Sequence, residues 1–170
     1  MSALQAMERA IDGWLEHGAS MSKVIEVLLD GCENLAVPVL LVGVMVRHLE
    51  KAEGVLDRFL REPLVWQLEF ERAVREQAWP RGAWSDGMVN AERRTWTFRE
   101  VSMAIVLRGD ESRREELRRL GEELVAAGEA TGMGDMVTNW AACLDASRFR
   151  ARSENEQLVV EVSPPKELRP

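Results

Sequence analysis

The run from Val37 to Val46, Val-Pro-Val-Leu-Leu-Val-Gly-Val-Met-Val, contains no charged residue. Pro38 suits the first turn of a helix, where its missing N–H has no intrahelical partner to lose. A helix that is apolar on every side must be covered on every side. The spacing therefore predicts a central helix from about Pro38 to Lys51, with the neighbouring segments as its wrapping. The run falls far short of the ~20 apolar residues that a membrane span needs.

Short helices flank this run. Leu4, Met7, Ile11 and Trp14 recur at helical spacing behind a capping-box pattern at Ser2–Gln5, and Gly18 can end that helix. A second helix follows Ser20 or Ser22, with Val24, Leu28 and Cys32 in one row and Ile25 and Leu29 beside it. After the central helix, Glu53 to Arg61 reads as a short helix. Pro63 then opens another, with Trp66, Phe70 and Val74 as its inner row and Leu64 and Leu68 alongside. Short links between helices favour antiparallel neighbours.

Gln77 to Ala91 breaks the pattern. Trp79-Pro-Arg-Gly82 and Ser85-Asp-Gly87 are rich in turn residues, and a loop this long is uncommon in a compact domain and more often functional or flexible. Thr97–Glu100 forms a second capping box, before a helix that buries Val101, Ala104 and Ile105. Gly109-Asp110 separates it from a charged helix, Glu111 to about Ala127, with Leu117, Leu120 and Leu124 as a narrow stripe. Its arginines and glutamates pair at i, i+4, the signature of a solvated helix. Gly128 to Gly134 reads as a link, and Val137, Trp140, Ala141 and Leu144 mark a last helix. The period then shortens. Phe149–Arg152 and Leu158–Val162, around a turn at Ser153–Glu156, predict a β-hairpin. Leu158, Val160 and Val162, with Phe149 and Ala151, would form its apolar face, packed over the helix that carries Trp140.

The expected fold is mainly α: a multi-helix bundle or a short HEAT-like α-solenoid with a small C-terminal β-hairpin. The expected division is a helical domain over 1–146, a hairpin over 147–163 and a tail over 164–170. A length of 170 residues is enough for a sizeable core. The net charge of −7 opposes nonspecific nucleic-acid binding. Cys32 and Cys143 read as buried free thiols in a reducing cytoplasm. The N-terminus lacks a basic-then-apolar signal, which also places the chain in the cytoplasm.

Catalytic motifs do not emerge. No lysine follows a glycine, so a phosphate-binding loop is absent. There is no Cys-x-x-Cys, and His17 and His48, the only histidines, read as structural or surface residues. Four of the six tryptophans, Trp14, Trp66, Trp96 and Trp140, fall on helical apolar rows and read as core. Trp79 and Trp84 flank the Pro- and Gly-bearing loop, where they either recognise a partner or pin the loop to the body. Arg93 and Arg94, next to Trp96, form the densest basic spot. Trp79, Trp84, Asp86, Arg93 and Arg94 are thus the candidate interaction residues, and no cofactor or metal is expected.

Several phrases together resemble a helical region of large bacterial P-loop ATPases of the STAND type. They are Cys32–Pro38 running into Val46–Glu50, Glu62–Trp66, Thr95–Glu100 and Asn139–Asp145, and the likeness spans roughly residues 1–163. The ATPase motifs of that family are missing, so no functional residue carries over. The resemblance implies a non-catalytic helical part of a larger machine. The leading functional expectation is an interaction scaffold whose partner is a protein or the remainder of a longer chain. The alternatives are an enzyme with a site assembled near the 77–96 loop, around Asp86, Arg93 and Arg94, or a nucleic-acid-binding module using Arg93 and Arg94. Against the last, acids and arginines balance between Pro63 and Leu107.

Overall fold

The computed structural model describes residues 3–77, 88–154 and 157–163. The described residues are mainly α-helical, with a two-stranded antiparallel hairpin after the helices. Its described helices are α1 (Ala3–Glu16), α2 (Met21–Leu29), α3 (Ala36–Arg47), α4 (Leu49–Leu60), α5 (Pro63–Gln77), α6 (Phe98–Arg108), α7 (Glu111–Ala130) and α8 (Gly134–Ala141), with short 3-10 turns at Ala91–Thr95, Ala142–Leu144 and Ala146–Arg148. None of them is long and apolar enough to cross a membrane. Two compact units divide the chain, residues 1–59 with 64–98, and residues 60–63 with 99–170.

In the first unit, α3 is the enclosed element. Leu40 to Val46 is buried, as an uncharged run requires, and burial continues through Arg47 and His48 to Leu49. The α1 and α2 helices and the Ala91–Thr95 turn pack against it. The expected continuous helix to Lys51 is instead two helices. His48 leaves helical geometry at φ −103° and ψ 41°, and α4 starts at the next residue. The break frees the Arg47 carbonyl, which accepts a hydrogen bond from Asn90 Nδ2 at 2.8 Å. Lys51 Nζ reaches the Leu15 carbonyl at 2.6 Å, tying the start of α4 to the end of α1.

Two helices present a different face from the one their apolar spacing predicts. On α1 the buried residues are Glu8, Ile11, Asp12 and Leu15, while Leu4 and Trp14 are 43% and 47% exposed. At 100° per residue this is a roll of about 70° from the Leu4–Trp14 row. On α5 the inner side is Pro63, Trp66, Glu69 and Ala73, while Leu64, Phe70 and Val74 are about half exposed. Trp66 meets Phe98 edge to face, with ring centroids 5.2 Å apart. Trp96 is half-buried at the end of the 3-10 turn rather than on a helical row.

The second unit is built on α7 and α8. Asp110 caps α7 by accepting the Arg113 N–H at 2.8 Å. That helix runs into the expected Gly128–Gly134 link and ends at Ala130, and Gly128 lets α8 approach closely: a Cβ there would sit 2.7 Å from Val137. Leu117, Leu120 and Leu124 are buried as expected, together with Val137, Trp140, Cys143 and Leu144. Cys32, in the first unit, is only half-buried. The hairpin pairs β1 (Phe149–Glu154) with β2 (Gln157–Val162), in register from Phe149↔Val162 to Glu154↔Gln157. Phe149, Val160 and Val162 share a face and are half-buried, while Ala151 on that face is exposed.

Candidate functional site

The rolled faces of α1 and α5 converge on arginines. Glu8 and Asp12, at i and i+4 on α1, point inward toward the end of α3 and the Ala91–Thr95 turn. Arg47 has no exposed surface, and its neighbours Asp12 and His48 are each 4% exposed. Arg47 Nη1 donates to Asp12 Oδ2 at 2.8 Å and to the Val89 carbonyl at 2.9 Å. His48 Nε2 lies 2.7 Å from the other Asp12 oxygen. Glu8 lies 4.0 Å from Arg47 Nη2 and accepts from Arg94 Nη1 with both oxygens, at 3.0 and 3.1 Å. The same Arg94 nitrogen sits 3.1 Å from Met88 Sδ. Two carboxylates from one helix thus hold two arginines and a histidine from the end of α3 and the Ala91–Thr95 turn.

Burial pushes the Asp12 carboxyl up, but the hydrogen bonds from His48 and Arg47, with their charges, outweigh it and hold Asp12 below the ordinary aspartate value. A buried charge is tolerated only when it is paired and hydrogen-bonded, and Asp12 meets both conditions for Arg47. Asn90 supports the same point from the backbone side. It adopts φ 49°, a left-handed conformation that asparagine accepts more readily than most residues, and from there holds the Arg47 carbonyl.

A second clamp repeats the device. Glu69 is 1% exposed. Its Oε1 lies 2.5 Å from Arg72 Nη2, and its Oε2 accepts the Phe98 N–H at 3.2 Å. Arg72 Nη1 donates to the Arg94 carbonyl at 3.0 Å, and its Nη2 to that of Trp96 at 3.4 Å. The segment 94–98 is therefore held by side chains of α5 while the Arg94 side chain is held by α1.

Among the residues read from sequence as interaction candidates, Arg93 and Arg94 are brought into this region. Arg93 makes a two-pronged pair with Glu50, at 2.8 and 2.9 Å, and its guanidinium lies 5.6 Å from the Trp96 ring centroid. That hydrogen-bonded Glu50 carboxylate raises the Arg93 pKa further. Arg94 faces inward to Glu8. Trp79, Trp84 and Asp86 lie outside the described residues. Glu8, Asp12, Arg47 and Glu69 escaped the sequence reading. A usable signal existed: Arg47-His48 directly ends an uncharged buried helix, which demands an acidic partner elsewhere.

Chemically, Asp12–His48 is a carboxylate–imidazole pair of the kind that orients a base. Here both groups are enclosed, and Arg47 occupies the other carboxylate oxygen. Among the described residues no group of three or more His, Cys, Asp or Glu could hold a metal ion. No protein-family model matches the chain, and no curated protein or solved structure matches it.

Proposed function

We propose that this chain is a non-catalytic helical interaction module, working in the cytoplasm as a segment or relative of a larger bacterial ATPase or signalling protein. The observation that carries the reading is the way charge and apolar surface are distributed in the first unit. Its buried acids Glu8, Asp12 and Glu69 pair with Arg94, Arg47 and Arg72, and these pairs hold segments together. Its apolar side chains are turned outward on α5, where Leu64 is 55%, Phe70 51% and Val74 48% exposed. Phe70 and Val74, at i and i+4, lie side by side there, and exposed apolar surface of this kind marks interaction sites. The Glu50–Arg93 and Glu8–Arg94 pairs also weigh against nucleic-acid binding, since a phosphate would have to displace a carboxylate from each arginine.

The test is site-specific photocrosslinking in the native cell, with the reactive group at residue 70 or 74 and a control at exposed Glu122 on α7. The reading predicts a discrete adduct from 70 and 74 that the control lacks, with a protein or with the in-frame remainder of a longer chain. Equal background from all three positions would defeat it. Reading the coding sequence around the gene for an in-frame P-loop tests the link to a larger ATPase.

A further inference from the structure

The hairpin has two unequal edges, and their difference carries an inference independent of α5. The Ser163 N–H donates to the Arg148 carbonyl at 2.9 Å, which makes Arg148 and Ser163 a hydrogen-bonded pair. Such pairs alternate along an antiparallel ladder. With the observed register, Arg150–Glu161 and Arg152–Val159 are then hydrogen-bonded pairs. The N–H and C=O groups of Ala151 and Ser153 point away from the hairpin on the β1 edge, where the Phe149 N–H is taken by the Ala146 carbonyl. Those of Leu158, Val160 and Val162 point away on the β2 edge. Among the described residues no third strand takes either edge. Two strands alone are marginally stable in water, and an open edge invites another strand.

We infer that the β2 edge pairs with the β2 edge of a second copy of this chain, antiparallel about a two-fold axis at Val160. Charge selects this arrangement. Pairing β1 with β1 about Ala151 would set Arg150 opposite Arg152 of the other copy, and like charges directly opposite are destabilising. Pairing β2 with β2 about Val160 sets Val160 opposite itself, Leu158 opposite Val162, and Glu161 opposite Val159. No like charges meet. Glu161 also keeps its own arginines, Arg150 across the ladder and Arg152 at 2.9 Å. The outward-pointing groups at 158, 160 and 162 fall in hydrogen-bonding positions in this register. Phe149, Ala151, Val160 and Val162 of both copies then line one face of a four-stranded sheet. The contact is isologous and closed, as most homodimers are.

Sedimentation velocity of the full chain over a range of concentrations, with two variants, tests this. The Val160 N–H lies on the outer edge, so Val160→Pro removes it without removing a bond of the hairpin ladder. The expected result is a reversible wild-type dimer whose dissociation constant rises by about tenfold or more in V160P. In a Cys32→Ser background, V160C should form a disulfide-linked dimer on mild oxidation, because facing hydrogen-bonded residues lie ~5.5 Å apart at Cα, within disulfide reach. Ala151→Cys, on the other edge, should not. A wild-type chain that stays monomeric throughout overturns the inference. So does crosslinking of A151C as readily as V160C.

Discussion

Replacing Asp12 by alanine should cost the first unit about 3–5 kcal/mol, the range for breaking a buried ion pair from one side. The geometry sets the estimate. Arg47 is wholly enclosed and has one carboxylate within hydrogen-bonding distance, that of Asp12. In Asp12→Ala it would keep only the Val89 carbonyl, with Glu8 no nearer than 4.0 Å unless the chain shifts. His48 would lose its partner at the same time. Because Asp12 is a small side chain, the cavity term is minor and the unpaired guanidinium dominates. Asp12→Leu combined with Arg47→Met removes both charges. It should recover stability to well above the single variant, since apolar replacements of buried ion pairs are often neutral. Urea denaturation followed by circular dichroism reads both. An Asp12→Ala variant within about 1 kcal/mol of wild type would refute the view that this pair is needed, because desolvation without compensation must cost more.

The acid limb of stability should report the same residue. Asp12 titrates below its unfolded value of 3.8. Its contribution is therefore present above about pH 4 and lost as pH falls through the folded value. Asp12→Asn should flatten that limb in pH-dependent melting. Gly128→Ala should destabilise the second unit by about 1–3 kcal/mol of overpacking against Val137, even though alanine favours a helix by ~1 kcal/mol. Adding Val137→Ala should restore part of the loss, read by thermal melting. Burial raises the Cys143 thiol above its ordinary value, only partly offset by Arg99, so half-buried Cys32 should react first with a thiol reagent and Cys143 only on unfolding. Equal rates would contradict the placement of Cys143. Phe70→Ser should cost only about 1 kcal/mol, a few degrees of melting temperature, because that ring is about half exposed; a drop of about 3 kcal/mol or more, the cost at a core phenylalanine, would mean it is core.

Most of the architecture is readable from residue spacing because apolar periodicity and turn residues act locally. The enclosed run up to Val46, the Leu117–Leu120–Leu124 stripe and the hairpin strands all follow from it. Periodicity misleads where a polar group competes for the inside. On α1 the Leu4–Met7–Ile11–Trp14 row looks like the inner face, but Glu8 and Asp12 must meet Arg47 and Arg94, and the helix rolls to bring them in. On α5 Glu69 does the same for Arg72 and the Phe98 N–H, which leaves Phe70 and Val74 outside. A hydrogen-bonded pair of this kind joins residues more than thirty positions apart, Asp12 to Arg47 and Glu8 to Arg94, and no local pattern encodes the match. The break at His48 has the same origin, since its ring and the freed Arg47 carbonyl both find partners from distant segments.

From Leu40 onward α3 is enclosed, and that enclosure depends on the buried charges at its end. Native-state amide exchange across Leu41–Val46 tests it most directly. These amides should be the most protected in the first unit, exchanging only when that whole unit opens, and Asp12→Ala should accelerate all of them by a common factor. Exchange of Leu41–Val46 through separate local openings, at rates like those of exposed α2 residues and unaffected by Asp12→Ala, would contradict it.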